Sequence, residues 1–154
     1  MTPQPESVSP WHDGFVLGYA PMDHVHEEFV TLVDELRHAA DEDMASALQA
    51  VADHCVEHFE TENAWMAETG FPARQCHVDE HAAVLSSIQG VQRRVEQGDC
   101  AAATRLAVAL ADWFPGHADY LDAALAHWMC KLRLGGKPLV LRRHIDTPMP
   151  ATAS

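Results

Sequence analysis

Apolar residues recur every three or four positions along most of the chain, which is the spacing of one face of an α-helix. The pattern predicts four helices, which run from about Pro21 to residue 40, Met44 to Glu68, Arg74 to Gln97 and Cys100 to Leu132. Because the connections between them are short, we expect an all-α fold, an up-down-up-down antiparallel four-helix bundle.

The predicted connections contain residues that end or begin helices. "DED" at 41–43 interrupts the first apolar pattern and offers an N-cap to the second helix. "TGFPA" at 69–73 predicts a turn, and "GD" at 98–99 is expected to stop the third helix and cap the fourth.

The 154 residues are typical of one domain. Proline and glycine in the first twenty residues predict an irregular N-terminal arm, which Trp11, Phe15 and Val16 would anchor on the core. We assign residues 1–132 to the bundle with its arm and residues 133–154 to a C-terminal extension.

The formal net charge of −13 argues against nucleic acid as a partner, because phosphate repels an acidic surface. Half of the ten Lys and Arg residues lie after residue 130, where Asp146 is the only acid. We expect this basic tail to lie against the acidic body of a monomer, with an unidentified anionic protein partner as the alternative.

Neither an apolar signal region nor a run long enough to span a membrane is present, so we expect no membrane association. The four cysteines form no CxxC pair and no zinc-finger spacing. These features favour a soluble protein in the reducing cytoplasm. Cys76 adjoins His77, and we expect it to be a buried, inert thiol rather than a redox group.

Eleven histidines are a high count for this length, and histidine is the commonest metal-binding side chain. His77 and His81 are four residues apart, as are His58 and Glu62, so each pair lies on one face of its helix. Alternating helix directions would bring these pairs toward the same end of the bundle as His26 on the first helix and His117 on the fourth. Buried polar groups without partners cost several kcal/mol each, and a bound metal would compensate that cost.

Four motifs in residues 11–130 resemble those of the hemerythrins, and of bacterial hemerythrins in particular. They are the D-x-x-H of "DHVH", the H-F-x-x-E of "HFETE", the H-x-x-x-H of "HVDEH" and the H-x-x-x-x-D of "HADYLD". The resemblance implies a non-haem centre of two iron ions (Fe²⁺/Fe³⁺) with a bridging oxo or hydroxo, which binds O2 reversibly.

Carried over residue by residue, the resemblance assigns seven metal ligands. His77, His81 and His117 would bind one iron, and His26 and His58 the other. Glu62 and Asp122 would bridge the two irons, which leaves one open position on the two-histidine iron.

His117 and Asp122 are five residues apart, which leaves them about 140° apart around an ideal helix. We therefore predict a local distortion such as a π-bulge, which brings residues five apart closer together. Pro115, just upstream, removes a helical hydrogen bond and would favour the distortion.

Apolar side chains near the predicted ligands are expected to form the wall of an O2 pocket. Phe29 is three residues after His26, Phe59 follows His58, and Trp113 is one turn before His117. Ala118 would complete the wall. By the resemblance, the position of Ala118 usually holds a larger aliphatic residue and that of Phe29 often holds leucine.

Five neutral imidazoles and only two acids favour reversible capture of O2 over cleavage of its bond, so we expect an oxygen store, carrier or sensor rather than an enzyme. The alternatives are a di-iron enzyme acting on peroxide or nitric oxide, and a metal-storage or structural bundle holding zinc. Asp23 is expected to orient a histidine or to cap the first helix. Six histidines are interpreted as surface residues: His12, His24, His38, His54, His127 and His144.

Overall fold

In the computed structural model of the chain, residues 10–133 are described, and they form an all-α four-helix bundle. The first three helices are α1 (Ala20–His38), α2 (Asp41–Thr69) and α3 (Arg74–Glu96). The fourth rod consists of α4 (Cys100–His117), a π-helical segment (Ala118–Asp122) and α5 (Ala123–Arg133). Each rod packs against its neighbours in the chain, and α1 also packs against α4, so the predicted four-helix bundle is confirmed.

Two of the three predicted connections are confirmed. Gly70 ends α2 with a φ of 68°, and Gly98 follows α3 with a φ of 93°, a backbone conformation that favours glycine. Asp99 caps α4, because its side chain accepts a hydrogen bond from the backbone N–H of Ala102.

The prediction for residues 41–43 is wrong. These three acids form the first turn of α2, and the N-cap is Ala40, which makes no side-chain capping bond. Negative side chains are stabilised at a helix N-terminus by the helix dipole, so the acidic run begins the helix and does not precede it.

The described part of the N-terminal arm contains a short 3-10 helix, Asp13–Phe15, and packs on the bundle through aromatic side chains. Trp11 and Phe15 pack against the core as predicted, whereas Val16 is 41% exposed and is not an anchor. Asp23 accepts hydrogen bonds from the backbone N–H groups of Leu17 (2.7 Å) and Gly18 (2.9 Å). Asp23 therefore ties the arm to the first turn of α1, and the predicted capping role is wrong, because the N-cap is Tyr19 and has no side-chain capping bond.

The core consists of two apolar clusters, one at each end of the bundle. The larger contains Phe29, Leu48 and Leu110, and the smaller contains Met22 and Leu125. Along α1, α2 and the fourth rod, the predicted metal ligands fall between residues of these two clusters. The polar residues are therefore enclosed by apolar packing above and below.

The predicted distortion of the fourth rod is confirmed. Within the π-helical segment the backbone N–H of Ala123 donates to the carbonyl of Ala118, five residues earlier. Pro115 lies inside α4 just before the segment. Asp122 is thereby turned into the core beside His117.

Among the helices of residues 10–133, none combines the length and the apolar character needed to cross a membrane. The predicted C-terminal extension lies outside the described residues apart from Arg133, and of the basic tail only Lys131 and Arg133, in the last turn of α5, are described.

Candidate metal centre

All seven predicted metal ligands converge in the interior, where they are the buried polar residues of the described chain. The most exposed of them is His58, at 7%. The set comprises His26, His58, Glu62, His77, His81, His117 and Asp122.

Their donor atoms form two groups, in each of which one atom from every residue lies within 4.8 Å of the others. The three-histidine group contains His77, His81 and His117. The two-histidine group contains His26 and His58, and both groups include Glu62 and Asp122. This division is the same as the one that the resemblance implies, and the binding of metal by these residues stays a prediction.

The shared carboxylates lie close to imidazole nitrogens of both groups. The Asp122 carboxylate oxygens are 3.0 Å from Nε2 of His26, 2.9 Å from Nε2 of His77 and 3.1 Å from Nε2 of His117. The Glu62 oxygens are 3.3 Å from Nε2 of His58 and 3.2 Å from Nε2 of His81.

Although these distances are short, neither oxygen of Glu62 and neither oxygen of Asp122 has a hydrogen-bond partner. The same is true of the Nε2 atoms of His26, His77, His81 and His117. Buried polar atoms without partners are costly, and a cation between the nitrogens and the oxygens would satisfy all of them. The donor set of imidazole and carboxylate fits an iron pair.

Electrostatics favours two ionised carboxylates in this cluster. Burial opposes their ionisation, but the surrounding histidines outweigh it and hold the pKa of Asp122 well below its ordinary value. The pKa of Glu62 is also lowered, because contacts with His58, His77 and His81 outweigh burial and the charge of Asp122. Both carboxylates are therefore available in ionised form as ligands for a cation.

The histidines differ in their protonation without metal. Burial lowers the pKa of His58 to about 4, which leaves its imidazole neutral and ready to bind a cation. Burial also opposes the protonation of His77, but the adjacent Asp122 and Glu62 carboxylates outweigh it and raise its pKa to about 9. A metal ion must therefore displace a proton from His77 at neutral pH.

Two residues that the sequence analysis missed orient histidines of the three-histidine group. The Nδ1–H of His117 donates to Oε1 of Glu80 over 2.8 Å, and Nε1–H of Trp113 donates to the same oxygen over 2.8 Å. The Nδ1–H of His81 donates to Oδ1 of Asn63 over 2.9 Å. Each bond fixes the tautomer in which Nε2 carries the lone pair that a metal needs.

The sequence gives little indication of these two contacts. Glu80 immediately precedes His81, and Asn63 immediately follows Glu62. Neither position shares a helix face with its neighbour, so only the packing of separate helices shows what Glu80 and Asn63 contact.

A small cavity of about 10 Å³ adjoins His26 and His58, and a single water-sized molecule fits in that volume. Phe29, Phe59 and Trp113 border it, and so does Phe114, which the sequence analysis missed. The occupant of this cavity stays a prediction.

Ala118 is buried but is not one of the residues that border this cavity. It packs instead in the larger apolar cluster. Adjacent residues of a helix point about 100° apart, so the residue after His117 faces away from the side that His117 faces.

The outcome differs among the six histidines that were predicted to lie on the surface. His12, His24, His38 and His127 are exposed, and His144 lies outside the described residues. The interpretation of His54 is wrong, because its side chain is only 11% exposed and its ring stacks on that of His58. The expectation for Cys76 is also wrong, since that thiol is exposed.

Comparisons with known proteins agree with this arrangement of buried histidines and carboxylates. Residues 17–128 match the family described as the hemerythrin HHE cation binding domain. The chain is also 38% identical to the bacteriohemerythrin of Ralstonia nicotianae over 124 residues, which cover 80% of this chain and 90% of that protein.

Proposed function

The chain belongs to the hemerythrin family, and from this we propose that it binds O2 reversibly at a pair of iron ions held in the core of the bundle. The observation that carries the proposal is the division of seven buried side chains into two groups that share Glu62 and Asp122. A shared carboxylate is the arrangement that two adjacent cations require.

In this proposal His77, His81 and His117 hold one iron, and His26 and His58 hold the other. Glu62 and Asp122 would be ligands of both ions, with an oxo or hydroxo as a further shared ligand. The iron pair, when bound, would provide a site for one O2 molecule, and occupation of that site would change the absorption spectrum.

The side chains contribute orientation and exclusion of water. Glu80 and Asn63 hold His117 and His81 in the tautomer that presents Nε2 to the cluster. Phe29, Phe59 and Phe114 surround the cavity beside His26 and His58, so that a small apolar molecule is accommodated there at the expense of bulk water.

A larger cavity of about 180 Å³ beneath the N-terminal arm supports access for such a molecule. It is bordered mainly by apolar side chains, and it shares Phe29 and Phe114 with the small cavity. In this proposal an apolar gas reaches the two-histidine group from this side, past Phe29 and Phe114.

Absorption spectroscopy on the iron-loaded chain tests the proposal. The reduced protein should be colourless, should colour on exposure to O2, and should bleach again under vacuum. These three steps report reversible binding of the kind needed for storage, delivery or sensing of O2.

Other outcomes of the same experiment would contradict the proposal. Irreversible oxidation with rapid turnover of peroxide or nitric oxide would favour an enzyme. A protein that retains stoichiometric zinc, binds no iron pair and has no visible chromophore would favour a structural or storage role.

A further inference from the structure

His58 is the most exposed of the seven proposed ligands, and it borders a second cavity that the proposed reaction with O2 does not use. This cavity, of about 220 Å³, lies between α1 and α2. Its border includes exposed side chains of both helices and His58 of the two-histidine group.

The second cavity is bordered by apolar side chains such as Val25 and Trp65 and by two acidic ones. Glu28 from α1 and Glu57 from α2 border it, and both are exposed to solvent. His54 also borders it, with Nδ1 3.6 Å from a carboxylate oxygen of Glu28. The chain therefore places two carboxylates and an imidazole along one opening.

His54 links the carboxylates to the metal centre. Its ring stacks on the ring of His58 with centroids 5.9 Å apart, and its buried Nε2 has no hydrogen-bond partner. A cation moving inward from Glu28 or Glu57 would thus meet an unsatisfied nitrogen immediately before it reaches His58.

On the aromatic side, Phe29 and Phe114 border both the small cavity and the larger one, so an ion arriving there would have to pass these apolar rings. Removing a divalent cation from water into apolar surroundings is strongly unfavourable without oxygen or nitrogen ligands. We propose that ferrous iron reaches the metal centre through the cavity between α1 and α2, passing from Glu28 and Glu57 to His54 and then to His58. This inference rests on the proposed function, because it assumes that the cluster binds iron.

The cavity is suited to transfer rather than to storage of the cation. Within residues 10–133, the donor groups that bring three or more ligand atoms within 4.8 Å of one another are the two core groups alone. The three donors of the cavity do not all lie that close to one another, so a cation would be attracted there without being retained.

The test is the rate of iron uptake by the metal-free full chain. Ferrous iron is added without oxygen, uptake is stopped with a chelator at set times, and protein-bound iron is measured after gel filtration. The double variant Glu28→Gln/Glu57→Gln should take up iron on the order of tenfold more slowly than wild type, because steering carboxylates raise association rates by about that factor or more. Its final iron content should equal that of wild type.

The matched control is Glu27→Gln/Glu60→Gln, which removes the same charge from exposed positions of the same two helices outside the cavity. Its uptake rate should stay within about twofold of wild type, since no side chain that borders the cavity changes. The single variant His54→Leu should also slow uptake while leaving the final iron content unchanged.

Two results would overturn the inference in different ways. Equal uptake rates for the cavity variant and its control, at full final iron content, would reject the route and leave the metal centre intact. Failure of wild type to take up iron at all would reject the centre itself. Circular dichroism of each metal-free variant shows whether its helices are intact before the rates are compared.

Discussion

The two halves of the cluster share Glu62 and Asp122, but the protein holds them by different means. In the three-histidine group, hydrogen bonds on the far side of the ring fix His117 and His81, whereas Nδ1 of His77 has no hydrogen-bond partner. In the two-histidine group, Nδ1 of His26 has no hydrogen-bond partner, and its ring packs edge-on against Phe114 at 5.2 Å.

Access differs between the halves as well. The small aromatic cavity borders both histidines of the two-histidine group. The second cavity, between α1 and α2, borders His58. Of the three-histidine group, only His117 borders the small cavity, and His77 is fully buried.

This difference shows how one cluster can be both rigid and accessible. A hydrogen bond fixes the direction of a ring nitrogen, whereas aromatic packing fixes the position of a ring and leaves gaps beside it. We therefore expect metal affinity to depend most on the three-histidine half and ligand exchange to depend most on the two-histidine half.

The largest effect should come from removing a side chain that both halves share. Asp122→Ala deletes a carboxylate within about 3 Å of three histidines, one of them in the two-histidine group. Bound iron should fall from two ions to at most one per chain, measured by metal analysis and absorption. Asp112→Ala, an exposed acid of α4, is the control, and an unchanged di-iron spectrum in Asp122→Ala would refute its bridging role.

The second-largest effect should come from removing the ring of Phe114, which borders the small aromatic cavity. Phe114→Ala should lower the free energy of unfolding by about 3–5 kcal/mol, because it leaves a void in the core, and should accelerate the loss of O2. Urea unfolding and the rate of bleaching after removal of O2 measure these two effects.

Phe71→Ala is the matched control for the aromatic wall, since Phe71 is a buried aromatic of the smaller cluster. It should lower stability comparably and leave the bleaching rate unchanged. If both variants accelerate bleaching equally, the effect belongs to general loosening of the bundle and the contrast between the two halves fails.

A smaller effect should follow from releasing His117. Glu80→Ala removes the acceptor of both His117 and Trp113, and metal affinity should fall by about 10–100-fold in competition with a chelator. Glu80→Gln keeps an oxygen acceptor and should recover part of the loss. The control is Asp79→Ala, because Asp79 is an exposed neighbour that is bonded to Gln75, and this variant should have wild-type metal affinity. If Glu80→Ala binds metal as tightly as Asp79→Ala, Glu80 does not orient His117.

The smallest effect concerns His81. Asn63→Ala removes a single hydrogen bond, worth on the order of 1 kcal/mol, so metal affinity should weaken by about fivefold. Asn63→Asp keeps an acceptor and should bind at least as tightly as wild type. An Asn63→Ala affinity indistinguishable from wild type in the same chelator assay would show that packing alone orients His81.

Much of the architecture is determined locally, and for that reason it was predictable from the sequence. Apolar spacing predicts the four rods, Gly70 and Gly98 predict two of their ends, and the separation of His117 and Asp122 predicts the π-helical segment. Each of these features depends on residues within about one or two turns of one another, where backbone geometry is nearly fixed. The acidic run at 41–43 was misjudged because the same residues are favourable both before a helix and in its first turn.

The seven buried polar side chains were predictable as a set through the resemblance of their motifs. Spacing by itself put His77 with His81 and His58 with Glu62 on one helix face, and the antiparallel order brought these pairs toward His26 and His117. What only the tertiary structure decided is how each of them is surrounded. His117 meets Glu80 across 37 residues of sequence, His81 meets Asn63 across 18, and Phe114 and His54 border the cavities through contacts between helices. Such contacts depend on the rotation and depth at which neighbouring helices pack, and these are set by the whole core rather than by any short stretch of chain.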